Sequence, residues 1–285
     1  MDRGRALTSD TLRTITQRQG ERLTELQQNL LGFAAGLLIS LVTAPVGISG
    51  AVFLLPVQLD ILRVPNPQVT PTNLLYNVVS VPGALFRYRR QQQYAGQLTR
   101  SLVYGTLPGV IIGAFIRVYL VPGPGLFRLL AAALLLPIGI YILVRRNGEP
   151  SLHSPRARHG LKGTRLTGLA LGTGIVGGIY GVGGGSILGP ILVGAGFPLA
   201  QVAPAALTST FLTSLVGAAS YSLLALSSTG NIAPDWVLGL SCGLGGLVGG
   251  YVGARLQPHM PERTLRLLLG SLAVGLAAAY VAQGL

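Results

Sequence analysis

Two stretches decide how this chain is read: Thr43-Ala44-Pro45-Val46-Gly47-Ile48-Ser49-Gly50 and, 134 residues further on, Gly177-Gly178-Ile179-Tyr180-Gly181-Val182-Gly183-Gly184-Gly185. Each lies halfway along an apolar run, about 30–62 and 166–197, that is too long for one straight crossing. A helix of ~32 residues would be ~48 Å long, against a hydrocarbon core of ~30 Å. Proline lacks the amide proton and glycine loses the most entropy in a helix. Each run therefore predicts two half-helices around a non-helical break near mid-membrane. Backbone of that kind is tolerated at such depth only where it is buried in protein or lines a cavity.

The rest of the chain supports a membrane setting. Charged residues make up 10% of 285, where soluble domains carry roughly 25%. Leu30 to Leu59, Leu102 to Ile116, Leu129 to Val144, Leu166 to Pro234 and Leu267 to Leu285 carry no charge. The balance of +13 does not read as a nucleic-acid surface, because of where it falls. Arg87, Arg89, Arg90 and Arg100 form one cluster, and Arg145, Arg146, Arg156, Arg158, Lys162 and Arg165 another, both between apolar spans. Cytoplasmic loops obeying the positive-inside rule look like this. The first 29 residues balance five arginines with Asp2, Asp10, Glu21 and Glu25 and read as a polar cytoplasmic tail. One cysteine, Cys242, excludes an internal disulfide framework.

The expected architecture is all-α and polytopic, with about eight transmembrane helices at about 30–62, 69–86, 98–121, 126–144, 166–197, 202–226, 234–254 and 264–284. The first and fifth are broken. With the N-terminus inside and eight simple crossings, both arginine clusters fall on the cytoplasmic side. Re-entrant hairpins at the two breaks, with the same N-terminus, would put them outside.

The chain also repeats itself. Gly47, Gly50 and Pro56 match Gly181, Gly184 and Pro190. Pro65, Gln68, Val69, Pro71 and Leu74 match Pro198, Gln201, Val202, Pro204 and Leu207, one residue of slippage later. Gly105, Gly109, Gly113 and Ala114 match Gly245, Gly249, Gly253 and Ala254. The order is kept throughout, so the pattern predicts two tandem four-helix repeats in the same orientation. The organisation is a tail at 1–29, a first repeat at 30–144, a basic cytoplasmic linker at 145–165 and a second repeat at 166–285. The glycine rows at four-residue spacing read as close helix packing, within the chain or in a homodimer.

A duplicated unit with one interrupted span per copy points to a transporter binding site at the two breaks. Half-helices starting near Gly50 and Gly184 would present unpaired amides and the positive end of their dipoles, which suits an anion. The candidate substrate-binding residues are Gly47, Ser49 and Gly50 at the first break and Gly181, Gly183, Gly184, Gly185 and Ser186 at the second. From the spans that follow come Asn73 and Asn77, four apart on one face, and Thr208, Ser209, Thr210 and Thr213. Neutral hydrogen-bond donors can hold an anion without trapping it. The duller use of the same groups is bonding between helices or back onto their own helix. No intramembrane histidine is available to activate Ser186 as a nucleophile, and no His, Cys or carboxylate cluster suggests a metal or cofactor. An enzyme is not expected.

With Gly181-x-Gly183-Gly184-Gly185, Pro190, Pro198-x-x-Gln201-Val202-Ala203 and Thr208-Ser209, together with the weaker first copy, the chain resembles the sulfite exporter TauE/SafE family of bacterial permeases over about residues 30–284. The resemblance implies a multi-pass transporter in the bacterial inner membrane, exporting small sulfur-containing anions such as sulfite or organosulfonates. Its expected partners are the bilayer and that anion. A channel-like anion pore and a non-transporting scaffold are the alternatives. The first copy departs from the family pattern, with Pro45-Val46-Gly47-Ile48-Ser49-Gly50 in place of a richer glycine run and Asn73 and Asn77 opposite Ala206 and Thr210.

Overall fold

The computed structural model describes residues 24–90, 96–120, 164–194, 197–227 and 232–259, with isolated helical positions within 132–144 and 267–282. The tail at 1–23 and the basic linker up to 163 lie outside the described residues, as do most of the spans expected at 126–144 and 264–284. Every described element is helical. Helix α1 runs Glu25–Thr43 and continues as a 3-10 turn, Ala44–Val46. Helix α2, Ala51–Pro56, passes into one π-helical turn, Val57–Ile61. Helices α3 (Val69–Arg90) and α4 (Gly96–Tyr119) follow. The second half comprises α5 (Thr164–Tyr180), α6 (Gly184–Gly194), α7 (Leu199–Ser227) and α8 (Trp236–Leu256). Four stretches, Glu25–Val46, Gly96–Tyr119, Gln201–Leu226 and Trp236–Leu256, are long and apolar enough to cross a membrane.

Local chemistry sets the helix starts. Thr24 and Gln27 close a reciprocal capping box at the head of α1, with Gln27 N–H to Thr24 Oγ1 at 3.3 Å and Thr24 N–H to Gln27 Oε1 at 3.0 Å. Asp235 caps α8 by accepting from Leu238 N–H at 3.1 Å. At the breaks, Gly47, Gly181 and Gly183 take φ of 72°, 71° and 72°. These left-handed values cost glycine nothing and most other residues roughly 1–2 kcal/mol.

Both breaks are where the sequence places them, but they reverse the chain rather than kink it. Gln28 Nε2 donates to the carbonyl of Leu62, so the end of the π-helical turn lies beside the start of α1. In the second hairpin a Cβ added to Gly184 would lie 3.0 Å from Gly174 Cα. Ten residues of continuous helix would separate these two positions by ~15 Å. The expectation that spans 1 and 5 are simple crossings is therefore corrected: α1–α2 and α5–α6 are helical hairpins whose two arms share an end of the bundle.

Reversal changes every direction that follows. Along α8, Gly245, Gly249 and Gly253 approach Phe33, Leu37 and Leu41 in turn, so α8 runs parallel to α1. It also runs parallel to α3, since Gly239, Gly243 and Gly246 meet Leu75, Val79 and Ser80. Glycines 105, 109 and 113 of α4 climb α5 in the same sense, against Thr167, Leu171 and Ile175. Helix α7 is antiparallel to α3, with Leu74 packed by Tyr221 and Leu224 while Val81, Ala84 and Tyr88 meet Ala203 and Leu207. Matched helices of the two copies thus run in opposite directions, and the expected common orientation is corrected. Counting spans treated each broken run as one crossing, whereas a hairpin returns the chain to the end it left.

The glycine rows explain how the copies interlock. A Cβ on Gly113 would lie 2.2 Å from Ile175 O, and one on Gly249 2.1 Å from Leu37 O. Backbone sits directly on backbone, as small-residue faces permit in lipid. Helix α4 of the first copy therefore clasps the second hairpin, and α8 of the second copy clasps the first. Both rows are used within the chain and neither is open as a dimer face. One half of the bundle holds α1, α2, α3 and α8, and the other α4, α5, α6 and α7. Leu26, Leu30, Leu38, Ile112, Phe115, Leu223, Leu226, Val237, Leu244 and Val248 form an exposed apolar belt. A surface this apolar is at home only in lipid.

The two ends of the bundle differ in charge. Arg87, Arg89, Arg90, Arg100, Arg165 and Arg255 gather at one end, hereafter the arginine end. The described carboxylates Glu25, Asp60 and Asp235 all lie at the other. Helix α1 begins at the end opposite these arginines.

Candidate functional site

The hairpins meet in the interior. After Gly47 the chain turns so that the Ser49 N–H points across to Ser186 Oγ at 3.3 Å, linking the first break to the first turn of α6. Ser49 Oγ donates to Asn77 Oδ1 on α3, and Ala51 N–H donates back to Ser49 Oγ at 3.2 Å. The other end of the Asn77 amide donates to Gly181 O at 3.3 Å, so one side chain ties both breaks together. One turn earlier, Asn73 Nδ2 donates to Ala51 O at 2.9 Å. The hydroxyls of Ser186 and Thr210 lie 3.1 Å apart. Ser49, Asn73, Asn77, Ser186 and Thr210 are each at most 3% exposed.

Glycine is required at these tips for space as well as for φ. A Cβ on Gly185 would fall 2.0 Å from Ala206 O, and on Gly183 2.7 Å from Thr210 Cγ2. On Gly50 it would fall 2.3 Å from the Tyr76 hydroxyl, and on Gly184 2.8 Å from Thr106 Cγ2. The tips also plug into opposite ends of the bundle. Gly47 abuts Ala203 near the arginine end, where an added Cβ would be 2.5 Å from Ala203 Cα. Gly181 abuts Thr70 at the other end, 2.3 Å from Thr70 O by the same measure.

Of the fourteen candidates, the structure gathers Ser49, Gly50, Asn73, Asn77, Gly181, Gly183, Gly184, Gly185, Ser186 and Thr210 into this one contact. Gly47 lies at its edge against α7. Three hydroxyls turn elsewhere. Thr208 bonds back to Pro204 O at 2.7 Å and Thr213 to Ser209 O at 2.7 Å, the helical back-bonding open to any such residue. Ser209 pairs with Thr106 of α4 at 2.9 Å and so locks α7 to α4.

Several buried polar groups here escaped the sequence reading. Thr106 lines α6 at Gly184. Ser214 Oγ lies 3.2 Å from a Cβ added to Gly183 and has no hydrogen-bond partner; Asn73, whose Cβ lies 3.2 Å from one added to Gly181, likewise leaves its Oδ1 without a partner. An unpaired buried acceptor or donor costs ~1–3 kcal/mol. Two of them at one hairpin tip mark capacity for a ligand the tip does not itself satisfy. The third omission, Arg117, is fully buried at the end of α4. Its signal was present in the spacing, since 105, 109, 113 and 117 continue the glycine row onto the packed face.

Chemically, the contact is built of hydroxyls and carboxamides at the positive end of the α6 dipole, where Ser186 N–H closes the first turn onto Gly183 O at 3.2 Å. Among the described residues no group of three His, Cys, Asp or Glu side chains could hold a metal ion. The contact holds no described nucleophile–base pair.

The family model for the sulfite exporter TauE/SafE matches residues 32–280. A Bacillus subtilis (strain 168) protein named probable membrane transporter protein YunE is 24% identical over 284 residues, covering 90% of this chain and 97% of its own length. No solved structure matches the chain.

Proposed function

This chain belongs to the sulfite exporter TauE/SafE family, a multi-pass bacterial membrane transporter family, and we propose that it exports a small sulfur oxyanion through the contact between its two hairpin tips. The observation that carries this reading is the bonded set Ser49–Asn77–Gly181 and Ser49–Ser186, which joins the two interrupted segments inside the apolar bundle. Polar groups are expensive at that depth and are kept where they serve a substrate path. Neutral donors hold a small anion loosely enough to release it. The sulfur chemistry of the substrate and the outward direction rest on the family's description alone.

The fold supports an inverted duplication, each copy contributing one hairpin and three crossings. Inverted repeats with interrupted helices at their interface are a recurrent transporter design. Since α4 and α8 are exchanged between the copies, the bodies that move against each other are α1–α3 with α8 and α4–α7. Their shared surface is the α3–α7 face and the hairpin tips. The arginine end faces the cytoplasm by the weight of its basic residues, which puts the start of α1 on the opposite side.

The test is uptake into liposomes of sulfite, thiosulfate, sulfoacetate, sulfate and acetate by the wild type, Asn77→Ala and Gly184→Leu. Melting curves establish that the variants are folded. Saturable uptake of a sulfur anion that both folded variants lose is the expected result. Flux of none of the five, or wild-type flux in the variants, would overturn the site assignment.

A further inference from the structure

Arg117 lies outside the bonded set described above, yet it is fully buried beside the second hairpin's tip. Its Nε donates to Thr70 Oγ1 at 3.2 Å and its Nη2 to Asn66 Oδ1. Thr70 in turn donates to Ile179 O at 3.2 Å, two residues before Gly181, and the Gly181 backbone rests on Thr70 O. Tyr221 holds the same tip from α7, donating to Gly178 O at 2.9 Å, and Tyr180 and Tyr221 both lie close enough to feel the arginine's charge. Guanidinium N–H groups are thus spent on neutral oxygens that belong to the tip's support. A guanidinium binds an oxyanion more strongly than a neutral oxygen, and does so through paired N–H groups.

We propose that Arg117 is an anion-reading latch: a small oxyanion displaces Thr70 and Asn66 from its guanidinium, and the loss of the Thr70 support frees the second hairpin's tip. Opening at this end is then tied to substrate arriving there. The position matching Arg117 in the repeat is Gln257, four residues after Gly253, so this guanidinium is not duplicated at the first hairpin's tip. The two gates are alike in backbone and unlike in charge. The tip controlled by charge is the one facing away from the arginine end. The inference rests on the transporter reading and adds the residue that senses the anion.

The experiment measures initial uptake against concentration, over the same panel of anions, for the wild type, Arg117→Lys and Arg117→Gln, with melting curves for all three. Arg117→Lys keeps a point charge but loses the paired geometry, so KM rises about tenfold or more with Vmax largely kept. Arg117→Gln keeps hydrogen bonding toward Thr70 and Asn66 without the charge, so KM rises further or saturation is lost. If Arg117 only braces the tip, Arg117→Gln lowers Vmax or melting while KM stays at the wild-type value, and that result overturns the proposal. Should Arg117→Gln fail to fold, an unchanged KM in Arg117→Lys overturns it equally. Wild-type protein that takes up none of the panel instead sinks the transporter reading, an outcome distinct from transport with an unmoved KM.

Discussion

Asn77 is the side chain on which the hairpin contact should depend most. Its amide accepts from Ser49 Oγ and donates to Gly181 O, so Asn77→Ala severs the first break from the second in one step. Hydrogen bonds between membrane helices give coupling of ~0.6 kcal/mol on average and ~1.7 at most in double-mutant cycles. Two such bonds put the loss for Asn77→Ala at ~1–3 kcal/mol, to which the cavity left by the carboxamide adds. Ser49→Ala alone removes one shared bond, together with the smaller bond from Ala51 N–H. The cavity and the separate partners cancel in the cycle of Ser49→Ala, Asn77→Ala and the double variant, leaving the shared bond as a coupling of ~0.6–1.7 kcal/mol. The measurement is reversible unfolding in mixed micelles. The protein's one tryptophan, Trp236, sits at the head of α8 and serves as a fluorescence probe beside helical circular dichroism. Single effects that add within ~0.3–0.5 kcal/mol would refute the bond and with it the argument that the tips are held closed through Asn77.

Two further outcomes follow from packing and direction. Gly113→Leu drives a side chain into backbone, its Cβ 2.2 Å from Ile175 O, and is expected to cost more than the ~1–3 kcal/mol of ordinary overpacking and to cut folded yield in detergent. Gly172→Ala, on the same α4-bound helix but facing open space, is expected to stabilise by up to ~1 kcal/mol, so equal behaviour of the two would contradict the parallel α4–α5 contact. For topology, single cysteines replacing Glu25 and Arg89 in a Cys242→Ala background should react with an impermeant thiol reagent from opposite faces of the membrane. Labelling of both from one face would contradict the hairpin reversal.

Much of the hairpin contact is legible in the sequence because glycine and proline act locally. Gly47, Gly181 and Gly183 need a positive φ, and a break at each is dictated by the few residues around it. Asn73 and Asn77 were visible for a similar reason: carboxamides are conspicuous in an apolar span and fall on one face at four-residue spacing. Hydroxyls were harder to place. Thr208 and Thr210 look alike in sequence, yet Thr208 bonds its own helix while Thr210 reaches Ser186, a choice settled by which face of α7 meets α6. Arg117, a charge at the end of an apolar span, is not conspicuous in the sequence. Its place on the glycine row, which puts it on the packed face, is the signal.

Direction could not be read in the same way. Hydropathy measures how much apolar sequence there is, and a 33-residue run broken in the middle has the same composition whether the chain continues or returns. Only a contact such as Gln28 to Leu62, far apart along the run, separates the two. Once the chain returns, the described helices of the second copy run opposite to their counterparts in the first. That inversion has a functional consequence on the reading proposed above. Two copies in the same orientation would point both hairpin tips at one end of the bundle and leave the other end without a plug. Inverted copies send the Gly47 tip to Ala203 near the arginine end and the Gly181 tip to Thr70 at the other, with Ser49, Asn77 and Ser186 between them. A substrate held among those three residues then has one hairpin tip closing each exit. Alternating access needs only that one tip lift at a time, and the bond from Ser49 to Ser186 is the place where each tip can sense the position of the other.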